Sequence, residues 1–104
     1  MANLQLNYLY RDGANYKQFD FVIFTNSNGL ALQDATTLMR SKLISEDYFI
    51  PQDWNLLRLH FHPYDPEIDH EWHEFESFEE TSTAPTDNRD ISEFLKKIEK
   101  GYEI

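Results

Sequence analysis

The 104-residue chain contains no cysteine. That excludes a disulfide framework, a thiolate metal site and a cysteine nucleophile. Only three glycines occur, Gly13, Gly29 and Gly101, and none lies near another. A glycine-rich loop that cradles phosphate therefore cannot form. Basic side chains are scarce, nine against nineteen acidic ones, and the formal charge is −10. They are also scattered, so the chain repels nucleic-acid phosphates and anionic headgroups. No apolar run approaches the ~20 residues that cross a bilayer. The residues after Met1 lack the basic and apolar regions of a signal peptide. The expectation is a cytoplasmic protein that binds neither nucleic acid nor membrane.

What the chain has in quantity is aromatic side chains, at 15% of residues. With this length they suffice for the core of one domain over residues 1–104. Residues 8–25 organise the rest. Two apolar runs flank Asp12-Gly13-Ala14-Asn15, which is hairpin punctuation. In the first run Leu4, Leu6, Tyr8 and Tyr10 alternate with more polar positions, the pattern of a strand with one buried face. In the second, Phe19, Phe21 and Ile23 share one side while Val22 and Phe24 share the other. A strand apolar on both sides is expected inside a sheet, covered on both faces.

After a turn at residues 26–29, Leu32, Ala35, Leu38, Met39 and Leu43 recur at helical spacing, predicting an amphipathic helix of about three turns. Ala31 is a poor cap for its start. Tyr48-Phe49-Ile50, stopped by Pro51, reads as a short edge strand or an extended link. Residues 57–62 alternate as a third strand. In residues 67–81, Ile68, Trp72, Phe75 and Phe78 lie at helical spacing, but the sheet needs a neighbour there, which favours a strand from Trp72 to Glu80. Asp90 and Glu93 form a capping pattern ahead of Ile91, Phe94, Leu95 and Ile98, with Gly101 as a stop. The predicted class is α+β, an antiparallel sheet in ββαββα order with two helices packed against it.

The stretches YLYRDGANYK, YFIP and YDPEIDHEWHEFESFEETSTAPT resemble a family of small uncharacterised bacterial proteins, with WHEFES the most distinctive part. The resemblance spans most of the chain. It implies a bacterial, cytoplasmic, single-domain protein, and it carries no activity, ligand or site residue with it.

All four histidines, His60, His62, His70 and His73, fall within fourteen residues and are interleaved with carboxylates. His60 and His62 share a strand face, and a loop could bring His70 and His73 to them. Zinc, nickel or copper would suit such imidazoles. The pattern matches no established zinc signature, so a solvated strand face is its plainer reading. Glu74, Glu76, Glu79 and Glu80 could supply an acid–base pair, although clustered glutamates on a strand are ordinarily solvated. No serine sits in a nucleophile elbow.

The function expected is a non-enzymatic protein-binding or accessory module with an acidic surface. Glu71, Trp72, Glu74 and Glu76 are its candidate contact residues, and a basic protein its partner. The alternative is a small metal-binding protein or metal-dependent hydrolase built on His60, His62, His70 and His73. Trp54, read as an exposed aromatic, makes a homodimer conceivable.

Overall fold

The computed structural model describes residues 2–11, 17–44, 47–56, 59 and 72–99. Its elements are strands β1 (Asn3–Arg11) and β2 (Lys17–Phe24), helix α1 (Leu32–Arg40), a two-residue strand β3 (Tyr48–Phe49), a 3₁₀ turn (Pro51–Trp54), strand β4 (His73–Thr81) and helix α2 (Ile91–Lys97). The fold is α+β. One antiparallel sheet runs β2-β1-β4-β3, with both helices against it. Among the described residues, no helix is long and apolar enough to cross a membrane.

Antiparallel register decides which residues share a face. Leu4, Leu6, Tyr8 and Tyr10 of β1 stand opposite Phe24, Val22, Asp20 and Gln18 of β2, and opposite Glu80, Phe78, Phe75 and His73 of β4. This side carries the core. Ala35 and Met39 of α1, Ile91 and Phe94 of α2, Phe49 and Trp54 all pack there. Phe24 and Phe94 have ring centroids 4.7 Å apart. Arg40 of α1 lies 4.9 Å over the ring of Phe75.

The sheet departs from the predicted arrangement in three ways. First, β2 is an edge strand, and β1 takes the interior place. Phe19 and Phe21 are 59% and 49% exposed, and no helix of the described residues lies over them, although Ile23 farther along the same side is buried. Apolar pattern records what a strand offers, and only topology says whether something covers it. Second, the outer neighbour of β4 is Tyr48–Phe49, the segment read as a short edge strand or an extended link, bonded at Glu74 and His73. The predicted strand over residues 57–62 falls, except for Leu59, outside the described residues. Third, β4 contains a bulge, since pairing shifts register between Asn7↔Ser77 and Tyr8↔Phe75. Glu76 is the surplus residue. Phe75 and Phe78 thereby both reach the core, and Glu76 and Ser77 both lie on the opposite side. Their three-residue spacing, which imitates a helix in the sequence, is the mark of that bulge.

The helices follow local chemistry closely. Ala31 makes no side-chain cap for α1. The approach is organised by buried Asn26, whose side chain accepts from the Leu30 N–H at 2.9 Å and donates to the Leu30 carbonyl at 3.0 Å. Gly29 takes φ of 63° within that turn, where a β-carbon would be strained. Leu38, predicted on the buried stripe, is exposed. Asp90 caps α2 by accepting from the Ser92 N–H at 3.0 Å, and a Glu93 carboxylate returns to the Asp90 N–H. The helix ends at Lys97, and Gly101 lies outside the described residues.

Candidate functional site

Four of the predicted candidates (His60, His62, His70 and Glu71) lie outside the described residues. The others are placed as follows. His73, offered in sequence as a metal ligand, is fully buried in the core. Its ring sits 5.0 Å from that of Tyr10, 6.1 Å from Tyr8 and 6.2 Å from Phe49. Its Nε2 accepts from the Leu59 N–H at 2.8 Å. That nitrogen's lone pair is therefore committed, and a metal ion would have to displace the amide to use it. Among the described residues no three His, Cys, Asp or Glu side chains are placed to hold a metal ion.

Trp72, Glu74 and Glu76 belong elsewhere, to the side of the sheet that the helices leave open. The same register that builds the core places Lys17, Phe19 and Phe21 of β2 on this side. Gln5, Asn7, Leu9 and Arg11 of β1 join them, with Glu74, Ser77 and Glu79 of β4 and Tyr48 of β3. A polar ladder runs up the middle. Gln5 Nε2 donates to Glu79 Oε1 at 2.7 Å, and Asn7 Nδ2 donates to the same oxygen at 3.1 Å and to Ser77 Oγ at 3.2 Å. Arg11 Nε donates to Glu74 Oε2 at 2.9 Å, and this carboxylate raises the guanidinium pKa. Aromatic rings flank the ladder on both sides. Phe19 and Phe21 stand toward β2, while Tyr48 and Trp72 lie toward β3 with ring centroids 5.8 Å apart and planes tilted by 36°. Trp72 is 45% exposed.

Phe19 and Phe21 dominate this face, yet sequence reasoning assigned them to the core. The available signal was that Gln5, Asn7, Ser77 and Glu79 are polar on the neighbouring strands, so this side of the sheet is hydrophilic at its centre. Trp54 moves the opposite way. It is 4% exposed, stacked on Phe49 with centroids 5.4 Å apart and planes 7° from parallel. It cannot serve as a surface anchor.

A cavity of about 240 Å³ opens beside β2, lined by Tyr8, Asp20, Phe21, Asn55, Thr86 and Asp87 among others. Burial, and then the nearby charge of Asp20, pushes the Tyr8 phenol well above its ordinary range, so it stays protonated near neutral pH. Hydrogen bonds from Arg89 hold the Asp87 carboxyl below its usual range. Arg89 also donates to the Trp54 carbonyl at 2.9 Å and lies 5.2 Å over Phe94. Asp87 is thus spoken for by a structural clamp, and the phenol is no base at neutral pH.

The free edge of β2 is partly closed. Thr86 and Asp87 both donate backbone N–H groups to the Ile23 carbonyl, at 3.0 and 3.1 Å. The Ile23 N–H donates to Thr86 Oγ1 at 2.9 Å, and the Phe21 N–H to the Asp20 carboxylate at 2.7 Å. Such capping discourages strand addition at an edge, and leaves the open face as the larger surface for contact. No protein-family model matches the chain, no curated protein matches it, and no solved structure matches it.

Proposed function

We propose that this chain is a cytoplasmic, non-enzymatic protein-binding or accessory module that docks its partner on the open face of the sheet. The observation that carries this reading is the pair of neighbouring phenylalanines, Phe19 and Phe21, each about half exposed on one side of an edge strand. Large apolar side chains held rigidly on a strand lose little further entropy on binding, and aromatic anchors recur at the centres of protein interfaces. Trp72 adds a third anchor. Carboxylates of Glu74, Glu76 and Glu79 favour a partner that presents cationic groups toward them.

The test is capture. Immobilised parent protein retains a partner from a lysate of its host, and Phe19→Ser with Phe21→Ser loses it while melting within a few degrees of the parent. A partner retained equally by both proteins would refute the open face as the docking surface.

A further inference from the structure

We infer that the partner on the open face is a second copy of this chain, seated face to face about a two-fold axis. The inference rests on the docking reading above and names its occupant.

Charge is the first argument. The chain carries −10 overall, but the open face is close to balanced, with Arg11 and Lys17 against Glu74, Glu76 and Glu79. Strand direction separates the signs. Lys17 pairs with Arg11 at one end of β1, and Glu79 pairs with Gln5 toward the other. Arg11 is already held by Glu74, which leaves Lys17 as the cation at its end, Glu79 as the anion toward the other, and Glu76 at the bulge in the middle. A two-fold that turns one copy end over end lays each Lys17 end over the other copy's Glu79 end. An isologous interface requires this kind of self-complementarity. The cation that Glu76 and Glu79 ask of a partner is present on the face itself, as Lys17.

Area is the second argument. β1 spans nine residues, about 30 Å at strand rise, and the three long strands cover roughly 15 Å across, with the two-residue β3 adding a short extension at one end. Two such faces bury on the order of 1,000 Å² together, the lower bound for a specific interface. Two sheets packed this way form a sandwich about 10 Å thick, and Phe19 and Phe21 of each copy would fill it.

Salt gives the dimer a signature. Two chains of −10 repel one another, and salt screens that repulsion more than it weakens a few exposed pairs across the face. Sedimentation equilibrium between 50 and 500 mM NaCl therefore shows dimerisation tightening with salt, where docking of a basic protein weakens. Phe19→Glu with Phe21→Glu raises the dissociation constant by roughly 100-fold or more and keeps the parent's circular dichroism. Lys17→Glu weakens the dimer several-fold beyond Lys96→Glu, a variant of equal net charge on α2, and adding Glu79→Lys to Lys17→Glu restores it. A chain monomeric up to about 1 mM, or a dimer untouched by the two phenylalanine changes, overturns the inference. If the chain is monomeric but those changes abolish capture from a lysate, the second copy is refuted and the docking face stands. If neither self-association nor capture responds to them, both readings fall.

Discussion

The two sides of one sheet make different use of the same residue types. On the covered side Phe24, Phe75 and Phe78 sit under two helices, each 5% exposed or less. On the open side Phe19 and Phe21, five and three residues before Phe24 on the same strand, are half in water. The difference is not hydrophobicity. It arises because α1 and α2 both pack on one face, and because the central strand offers Leu6 and Tyr8 to that face and Gln5 and Asn7 to the other. A side chain's contribution to stability follows from its cover, so identical substitutions on the two faces should separate cleanly.

The largest contrast is Phe24→Ala. It removes a fully buried ring that touches Phe94 and costs about 3–5 kcal/mol, enough to unfold much of a domain of ordinary stability. Chemical denaturation should find the variant's midpoint collapsed or its transition absent. His73→Leu comes next, because it fills similar space but leaves the Leu59 N–H without its acceptor. The expected loss is about 1–3 kcal/mol, and hydrogen exchange at Leu59 should accelerate while exchange in β2 slows or speeds only with global stability.

Asp90→Ala is expected to cost about 1–2 kcal/mol as the loss of a helix cap, read as a lower melting temperature at pH 7. This residue also sets part of the acid limb. Partial burial pushes its pKa up, but the Ser27 N–H and the Ser92 hydroxyl and N–H outweigh that and hold it well below the usual carboxylate range. The folded value is depressed, so Asp90 contributes stability above the unfolded carboxylate value of about 4, and that contribution disappears as pH falls below it. Parent and variant melting temperatures should therefore converge on acidification. The smallest effect belongs to Phe21→Ala, within about 1 kcal/mol of the parent monomer. If it matches Phe24→Ala, the two faces are not distinct and the docking surface has no basis.

Much of this fold can be read from the sequence, because its signals are local. The alternation of Leu4, Leu6, Tyr8 and Tyr10 locates β1 and its buried side. The Asp90 and Glu93 pattern locates the start of α2 to the residue. The 73–81 strand is recoverable too, although the bulge gives Phe75 and Phe78 a helical spacing. What cannot be read locally is cover. Phe19 and Phe21 look like core because nothing in residues 17–24 says that β2 lies at an edge. Trp54 looks exposed because its stacking partner, Phe49, belongs to β3 and the stack requires the 3₁₀ turn between them. His73 looks like a ligand among histidines because the rings of Tyr8 and Tyr10 that enclose it come from a strand more than sixty residues earlier. Of the proposed contact face, Trp72, Glu74 and Glu76 were legible as an aromatic among carboxylates, whereas the phenylalanines that anchor it were not.

The surplus residue at Glu76 has a consequence for chain length. Removing one residue from the middle of a strand ordinarily inverts the sidedness of everything after it. Here the pairing of β1 with β4 already carries one residue too many on the β4 side. Excising Glu76 would leave His73, Phe75 and Phe78 facing the helices, and Ser77 and Glu79 facing away, with the strand only straightened. Single-residue shortening, among the harshest changes a strand can suffer, is at this position a change of curvature alone.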